Sequence, residues 1–338
     1  MALSRLISQV IHKMQGLTVK SFNARGLGDK FKRRLIFDWL RQNERGLVCL
    51  QETHSTKETE GIWKSQWGGK IIFSHGISNS SGVAVLVPPG LDIDIINHVS
   101  DIEGRLLIME ANYEEHNFIL CNVYAPTKDK KEEQLAFLEK LRKQLENYLD
   151  RDLIIGGDFN ACINPEIDKS GGTKESQSLY AKEIESLQEE FNLCDVWRIR
   201  HPNLKRYSRR DRTRAGLVQS RLDFWLISTQ LENKVTETDI HPGRRSDHSL
   251  ISLKINFIVG EKRGRGFWKM NTSLLHDQDY LMKIRNVIQY CKQKYESLED
   301  KRLLWDTMKC EIRAETISFS CHKAKTRKQE EVLLTERL

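Results

Sequence analysis

Arg151–Ala161 reads Arg-Asp-Leu-Ile-Ile-Gly-Gly-Asp-Phe-Asn-Ala, and the rest of the chain is organised around it. Leu153, Ile154 and Ile155 form a short continuous apolar run, the pattern of a strand covered on both faces. Gly156 and Gly157 are expected to end that strand in a tight turn where another group comes close. Asp158 and Asn160 follow on the strand's exit, two residues apart and therefore able to face one side. A carboxylate and an amide fixed there suit a phosphate ester near a hard divalent cation. Taken alone, the stretch favours a mere polar turn, since Gly, Asp and Asn serve turns for backbone reasons. Four more polar clusters at strand exits decide for the site.

The chain has 338 residues, room for one large domain plus an appendage or for two domains. Its 39% hydrophobic content is enough for a core, and its 30% charged residues fit a soluble protein. Apolar runs such as Val83–Val87 are far too short to span a membrane. Leu3–Ile11 is too short and too interrupted for a secretory signal. Seven scattered cysteines without a C-x-x-C pair point to neither a disulfide frame nor a zinc site, hence to a reducing, intracellular setting. The net charge is +7, and residues 259–338 hold 17 Lys+Arg against 12 Asp+Glu, so most of the excess lies there. In the larger part, Arg198, Arg200, Lys205, Arg206, Arg209, Arg210, Arg212 and Arg214 crowd around one acid, Asp211. A local basic patch of this kind fits a docking polyanion, or else a solvated face.

Taken in order, Leu17–Phe22 alternates as a strand and runs into a turn at Asn23. Lys32–Asn43 has helical spacing, and Leu47–Leu50 is a second buried strand ending in Gln51-Glu52-Thr53-His54. Ile71–Phe73, Val83–Val87, Leu106–Ala111 and Phe118–Val123 read as further strands, the last ending at Tyr124. Glu132–Leu149 and Tyr180–Phe191 are periodic helices, and Cys194–Trp197 is expected to be extended. Arg206–Arg212 and Leu217–Ile227 read as two arms of a hairpin, with Arg212 and Arg214 at its tip and Asp223 on its return arm. Arg244–Ser249 leads into a final strand, Leu250–Ile255. Consecutive strands mixed with helices imply two sheets packed face to face and covered by helices, a four-layer α/β/β/α sandwich. Beyond Val259 a basic link, Glu261–Gly266, precedes long helical patterns that form a C-terminal extension. The last pattern, Lys323–Leu338, meets no stop signal, as expected of a piece of a longer polyprotein.

Strand ends thus carry Asn23, Glu52, Tyr124, Asp158 with Asn160, and Asp247-His248, with Asp223 nearby. Each residue type has work in phosphodiester hydrolysis. Glu52 is an oxygen ligand for Mg²⁺, which takes only one or two carboxylates. His248 is a general base or phosphate anchor, with Asp223 fixing its tautomer. Asp158 and Asn160 would hold the attacking water, and Tyr124 and Asn23 would donate to phosphate oxygens.

Asn23 after a strand, Gln51-Glu52-Thr53, Asn122-Val-Tyr124-Ala-Pro126, Gly157-Asp158-Phe-Asn160, Arg221-Leu-Asp223 and Ser246-Asp247-His248 stand in one order. In that order they resemble the motifs of the endonuclease/exonuclease/phosphatase superfamily, across roughly residues 16–257. Gln51–His54, Arg221–Phe224 and Gly266–Leu275 further resemble the open reading frame 2 protein of LINE-type retrotransposons, in which an endonuclease precedes a linker and a reverse transcriptase. The resemblance implies an α/β sandwich over residues 16–257 and a linker-like region over 258–338. Catalysis would lie with Asp158, Asn160, His248, Tyr124 and Asp223. Substrate would meet Asn23, Ser208, Arg212 and Arg214. The cation, Mg²⁺ or Mn²⁺ in its place, would be held by Glu52, Asp247 and Asn23. DNA is then the expected partner, element RNA a further one through the basic tail, and the nucleus the expected place. One departure is Arg25, where many relatives carry an acid or amide two positions after Asn23, which leaves Glu52 as the main protein ligand. The rival functions are an abasic-site repair endonuclease, a small-molecule phosphoesterase and an inactive element remnant.

Overall fold

The computed structural model describes residues 16–42, 45–77, 81–172, 176–214, 216–257, 270–296 and 300–336. The lead-in at Met1–Gln15 and the link from Glu261 to Lys269, with Trp268, lie outside the described residues.

The chain divides into two compact units, Met1–Val259 and Gly260–Leu338. The first unit opens with β1 (Leu17–Asn23), α1 (Lys30–Gln42), β2 (Leu47–Gln51), α2 (Glu60–Trp67), β3 (Lys70–Ser74) and β4 (Val83–Val87). Then come β5 (Asp94–Ser100), β6 (Leu106–Tyr113), β7 (His116–Tyr124), α3 (Lys131–Leu145) and β8 (Asp152–Asp158). Next are α4 (Pro165–Asp168), β9 (Lys169–Ser170), α5 (Leu179–Glu190), β10 (Leu193–Asp195) and α6 (Val196–Arg200). The unit closes with β11 (Arg209–Thr213), β12 (Gly216–Ser220), β13 (Asp223–Ser228), β14 (Val235–His241) and β15 (Leu250–Ile255).

Two six-stranded sheets result, ordered β14-β15-β1-β2-β4-β3 and β10-β13-β8-β7-β6-β5. One core lies between them and takes Val19, Cys49, Val85, Leu107, Leu120, Ile154, Trp225 and Leu253. The opposite face of the first sheet is covered by Ile36, Phe37 and Leu40 of α1 and by Trp63 and Trp67 of α2. The opposite face of the second is covered by Phe137, Leu141 and Leu145 of α3 and by Ile184 and Leu187 of α5. Leu153 and Ile155 join that outer cluster while Ile154 joins the inner one, so β8 is buried on both faces as its apolar run predicts. The expected four layers are present.

The glycine pair differs from its expected role. The strand runs through Gly156 and Gly157 to Asp158 rather than ending before them. A Cβ on Gly156 would meet the Trp225 ring at 2.1 Å, and one on Gly157, whose φ is +149°, would meet the Val123 carbonyl at 1.9 Å. Close packing, not a turn, requires both. Extended structure after Cys194 also stops early, because Asp195 accepts from the Arg198 N–H and caps α6.

A buried amide joins the sheets below one edge. Asn122 of β7 donates to the carbonyls of Leu50 (3.0 Å) and Ala84 (2.9 Å) and accepts from Gln51 Nε2 at 2.6 Å. Nearby, Arg221 donates to Asp168 (2.7 and 3.3 Å) and to Asp195 (2.7 Å), with its guanidinium over the rings of Trp197 and Phe224. Burial alone would raise Asp168, yet Arg221 holds its carboxyl below the usual range. Arg221→Leu would leave Asp195 without its guanidinium partner and Asp168 with Arg198 alone. It is expected to cost roughly 3–5 kcal/mol in urea unfolding, and a loss below about 1 kcal/mol would show that the cluster does not hold β13 to α4 and β10.

The second unit contains α7 (Gln278–Lys294) and α8 (Lys301–Glu336), joined by a Tyr280–Thr316 hydroxyl contact at 2.8 Å and an ion pair between Lys323 and Asp277. Among the described residues, no helix is long and apolar enough to cross a membrane.

Candidate active site

The strand ends meet because of how the strands pair. Parallel pairing sets Asn23 of β1 beside Gln51 of β2, so Glu52 leaves the same edge. In the second sheet Tyr124 and Asp223 both pair with Asp158, one parallel and one antiparallel. His248, just before β15, is tied by a single bridge to Arg209.

Asp158 is the centre. The Asn23 amide nitrogen donates to Asp158 Oδ2 (2.9 Å) and to Glu52 Oε1 (2.8 Å), so one amide spans carboxylates from both sheets. Tyr124 donates its hydroxyl to the same Glu52 oxygen at 3.1 Å. On the other side, His248 Nε2 faces Asp158 Oδ2 at 3.8 Å. Its Nδ1 lies 2.8 Å from Asp223 Oδ2, and Ser208 donates to that same oxygen at 2.7 Å. Asn160 is held by its side-chain amide on the Ala125 carbonyl (2.8 Å) and by its N–H on Asp158 Oδ1 (2.9 Å). Glu52 and Asn160 both have left-handed backbone, φ +49°, which aims their side chains from the strand exits and is uncommon outside glycine.

The charges follow from burial. Desolvation and the adjacent Asp223 push the Asp158 carboxyl well above its ordinary range, with His248 pulling it back. Burial opposes charge on His248, but Asp223 and Asp158 overcome it, and its pKa is raised to about 9. Burial also raises the Tyr124 phenol, which stays a hydrogen-bond donor at neutral pH. The edge therefore holds an imidazolium clamped to one carboxylate beside a second carboxylate that readily takes a proton.

The sequence matches the Endonuclease/Exonuclease/phosphatase family over residues 20–248. The chain belongs to that family. It is 30% identical over 299 residues to the Transposon TX1 uncharacterized 149 kDa protein of Xenopus laevis, covering 88% of this chain but 22% of that protein. It is also 22% identical over 258 residues to an exodeoxyribonuclease of Bacillus subtilis, covering 70% of this chain and 98% of that one. An AP endonuclease from Leishmania major superposes with a TM-score of 0.62 at 17% identity, over 72% of this chain and 88% of that chain. One from Archaeoglobus fulgidus gives 0.55 at 20% identity, over 71% and 99%. These two likenesses confirm the sandwich.

Within this endonuclease/exonuclease/phosphatase frame the structure gathers Asn23, Glu52, Tyr124, Asp158, Asn160, Asp223 and His248, and it revises four expectations. Ser208 does not face substrate: it is fully buried, and its hydroxyl accepts from the N–H groups of Leu222 and Asp223 (2.9 Å each) while donating to Asp223. It therefore positions Asp223. Asp247 does not turn to the other ligands but lies between Arg25 (3.5 Å) and Arg209 (3.2 Å), so two guanidinium groups already neutralise it. Asn23 uses its amide on two carboxylates and its oxygen on the Arg25 N–H (3.0 Å), a linking role beyond the one expected of it. Asp223 is not on the hairpin, whose arms pair Arg209–Thr213 with Gly216–Ser220; it opens β13 of the large sheet.

The basic run also divides. Arg198 binds Asp168, Arg200 the Val235 carbonyl (2.5 Å), and Arg206 the Ile240 carbonyl (2.7 Å), so these three hold structure. Arg210, Arg212 and Arg214 are exposed on the hairpin. Two supporting residues had no expected role. Ser246 donates to the Asn23 carbonyl (2.8 Å) and accepts the His248 N–H (3.1 Å), tying two site loops together. Arg105 lies over the Tyr124 ring at 5.2 Å. Ser246 was visible in its motif; Arg105 had no local signal.

The donor set suits a hard cation. Glu52 is part-exposed with two donors on one oxygen, Asp158 is a crowded buried acid, and the buried Asp223 Oδ1 has no hydrogen-bond partner among the described residues. Oxygen donors with surplus negative charge fit Mg²⁺ or Mn²⁺.

Proposed function

We propose that this chain is a Mg²⁺-dependent endonuclease that nicks one strand of DNA, with Mn²⁺ able to substitute. The observation that carries this reading is the continuous chain Glu52–Asn23–Asp158 facing the His248–Asp223 pair, built from both sheets. Held by Glu52, with Asp158 across the Asn23 amide, the cation would polarise a phosphoryl oxygen and steady the leaving alkoxide. Asp158 is the base that takes the proton of the attacking water, and its raised pKa matches that task near neutral pH. His248, charged and clamped by Asp223, anchors a phosphate oxygen rather than removing a proton. Tyr124 holds Glu52, and Asn160 fixes Asp158 through its N–H.

Likeness to the TX1 transposon protein favours DNA nicking for retrotransposition over abasic-site repair, with residues 16–257 as the hydrolytic domain and 258–338 as a linker that can meet element RNA. That use of DNA calls for a nuclear protein. The exposed Arg212 and Arg214, on a tip closed between Thr213 and Gly216, would enter a minor groove and read its shape.

The test is incubation with supercoiled plasmid in Mg²⁺ and in EDTA, with nick sites sequenced. Nicked circles only with Mg²⁺ are expected, and their absence removes the proposal. The double variant Arg212→Ala plus Arg214→Ala is expected to redistribute the nicks. An unchanged map with uniformly slower cutting would make the tip a phosphate contact only.

A further inference from the structure

Asp247 sits one residue from His248 and would be free to bind a cation if it were unpaired. Both of its oxygens are engaged instead: Oδ1 lies 3.5 Å from Arg25 Nη1 and Oδ2 lies 3.2 Å from Arg209 Nε. Arg25 is unlike an ordinary surface arginine in how it is mounted. Its φ is +48°, a left-handed backbone that residues with a Cβ enter at a cost. The surrounding bonds hold it there. Its N–H donates to Asn23 Oδ1 (3.0 Å), its carbonyl accepts from Lys32 Nζ (2.6 Å), and the next N–H, of Gly26, donates to the Glu52 carbonyl (2.8 Å). Asn23, Lys32 and Glu52 thus fix the backbone from which the Arg25 side chain projects.

The loop that carries Asp247 is held from its own side. Ser246 donates to the Asn23 carbonyl, and Arg210 N–H donates to the Asp247 carbonyl at 2.9 Å. Arg245, on the same loop, repeats the left-handed backbone with φ +52°. Lys32 feels Arg25 and Arg245 as like charges and Glu52 and Asp247 as opposite ones, so all five share one neighbourhood. Arg209 joins them and also pairs with Asp211 at 3.5 Å. A divalent ion on Asp247 would have to displace two guanidinium groups. Meanwhile 67% of the Arg25 side chain is exposed, leaving guanidinium N–H groups free to face a ligand.

We propose that Arg25 is a built-in cation of this site: it closes Asp247 to metal, limits the chain to one divalent ion at Glu52, and offers its exposed guanidinium to a phosphate oxygen of the bound strand. This rests on the reading of the site as a cation-dependent nuclease. Arginine suits the part because its planar fork binds carboxylate and phosphate alike and keeps its charge at every working pH.

The experiment counts Mn²⁺ bound per full-length chain by electron paramagnetic resonance, without DNA. One ion on the wild type and a second, weaker ion on Arg25→Asp is the expected result. Two ions on the wild type, or no second ion on a folded Arg25→Asp, overturns the proposal. No ion on the wild type overturns the nuclease reading itself, so the two failures are distinct. Arg25→Gln, which keeps size without charge, covers the phosphate contact. Its binding to a DNA duplex in EDTA, followed by fluorescence anisotropy, is expected to lose about one unit of slope in log affinity against log salt. An unchanged slope would show that Arg25 meets no phosphate.

Discussion

Asp158→Asn is expected to slow plasmid nicking by roughly three orders of magnitude, and His248→Ala by a similar factor, while the double variant falls by little more than either alone. The reason is geometric. Asp158 Oδ2 and His248 Nε2 lie 3.8 Å apart, close enough for one oxygen beside them to contact both. Once the base is gone, an anchored phosphate has no activated water to meet. Once the anchor is gone, the base acts on a water with no fixed phosphate. Asn at position 158 keeps one of the two accepting oxygens, so it can still take either the Asn160 N–H or the Asn23 amide but not both, and the unfolding measurement separates the lost bond from the lost charge and basicity. The check is nicking rate for both singles and the double at one Mg²⁺ concentration, with thermal unfolding recorded for each. Single losses that multiplied in full would place the two residues in separate steps.

Much of this arrangement was legible in the sequence. The alternation of Leu17–Phe22, the apolar triplet before Asp158 and the polar residues after each strand are local patterns, and they located β8 and the ends of β1, β2 and β7. One helix-facing cluster was also implied by the spacing of Leu135, Leu138, Leu141 and Leu145 in α3. What escaped was of another kind. β5 is exposed along nearly its whole length and carries a bulge between Ile95 and Asn97, so neither alternation nor an apolar run marks it. β14 has a similar bulge after Val235. In α2 the signal was present, Trp63 and Trp67 one turn apart, but the segment is short.

The site shows the same division. Residue types at strand exits could be read from the chain, but partners could not. Ser208 and Asp223 are 15 residues apart, and Ser246 and Asn23 are 223 apart. Whether a serine touches substrate or a neighbouring carboxylate depends on such pairings, and no window of sequence contains them. Asp247 makes the point most sharply. Its position beside His248 suggested a ligand, and only the return of β11 with Arg209 and the loop bearing Arg25 made it an ion-pair partner. Distant cations decided its role.

Glu52→Gln isolates the metal's charge from everything else that residue does. Gln keeps an oxygen where Glu52 Oε1 now accepts from Asn23 and Tyr124, so both bonds survive the change. Gln meets the left-handed backbone at position 52 with the same single Cβ as Glu, so the loop has no added steric reason to move. Stability should therefore stay within about 1 kcal/mol of the wild type, as for an exchange away from the core. Nicking should fall by roughly two to three orders of magnitude, the scale seen when one preorganised electrostatic contact at a developing charge is removed. If Arg25 closes Asp247 as proposed, Asp247, already paired with Arg25 and Arg209, does not take over. The measurement is nicking rate across a Mg²⁺ titration, with Mn²⁺ binding to the same variant followed without DNA. Lost Mn²⁺ binding together with slow nicking is the expected pair. Near-normal nicking at low Mg²⁺ would move the cation off Glu52 and onto the buried Asp158–Asp223 pair, whose Oδ1 atom on Asp223 lacks a hydrogen-bond partner among the described residues.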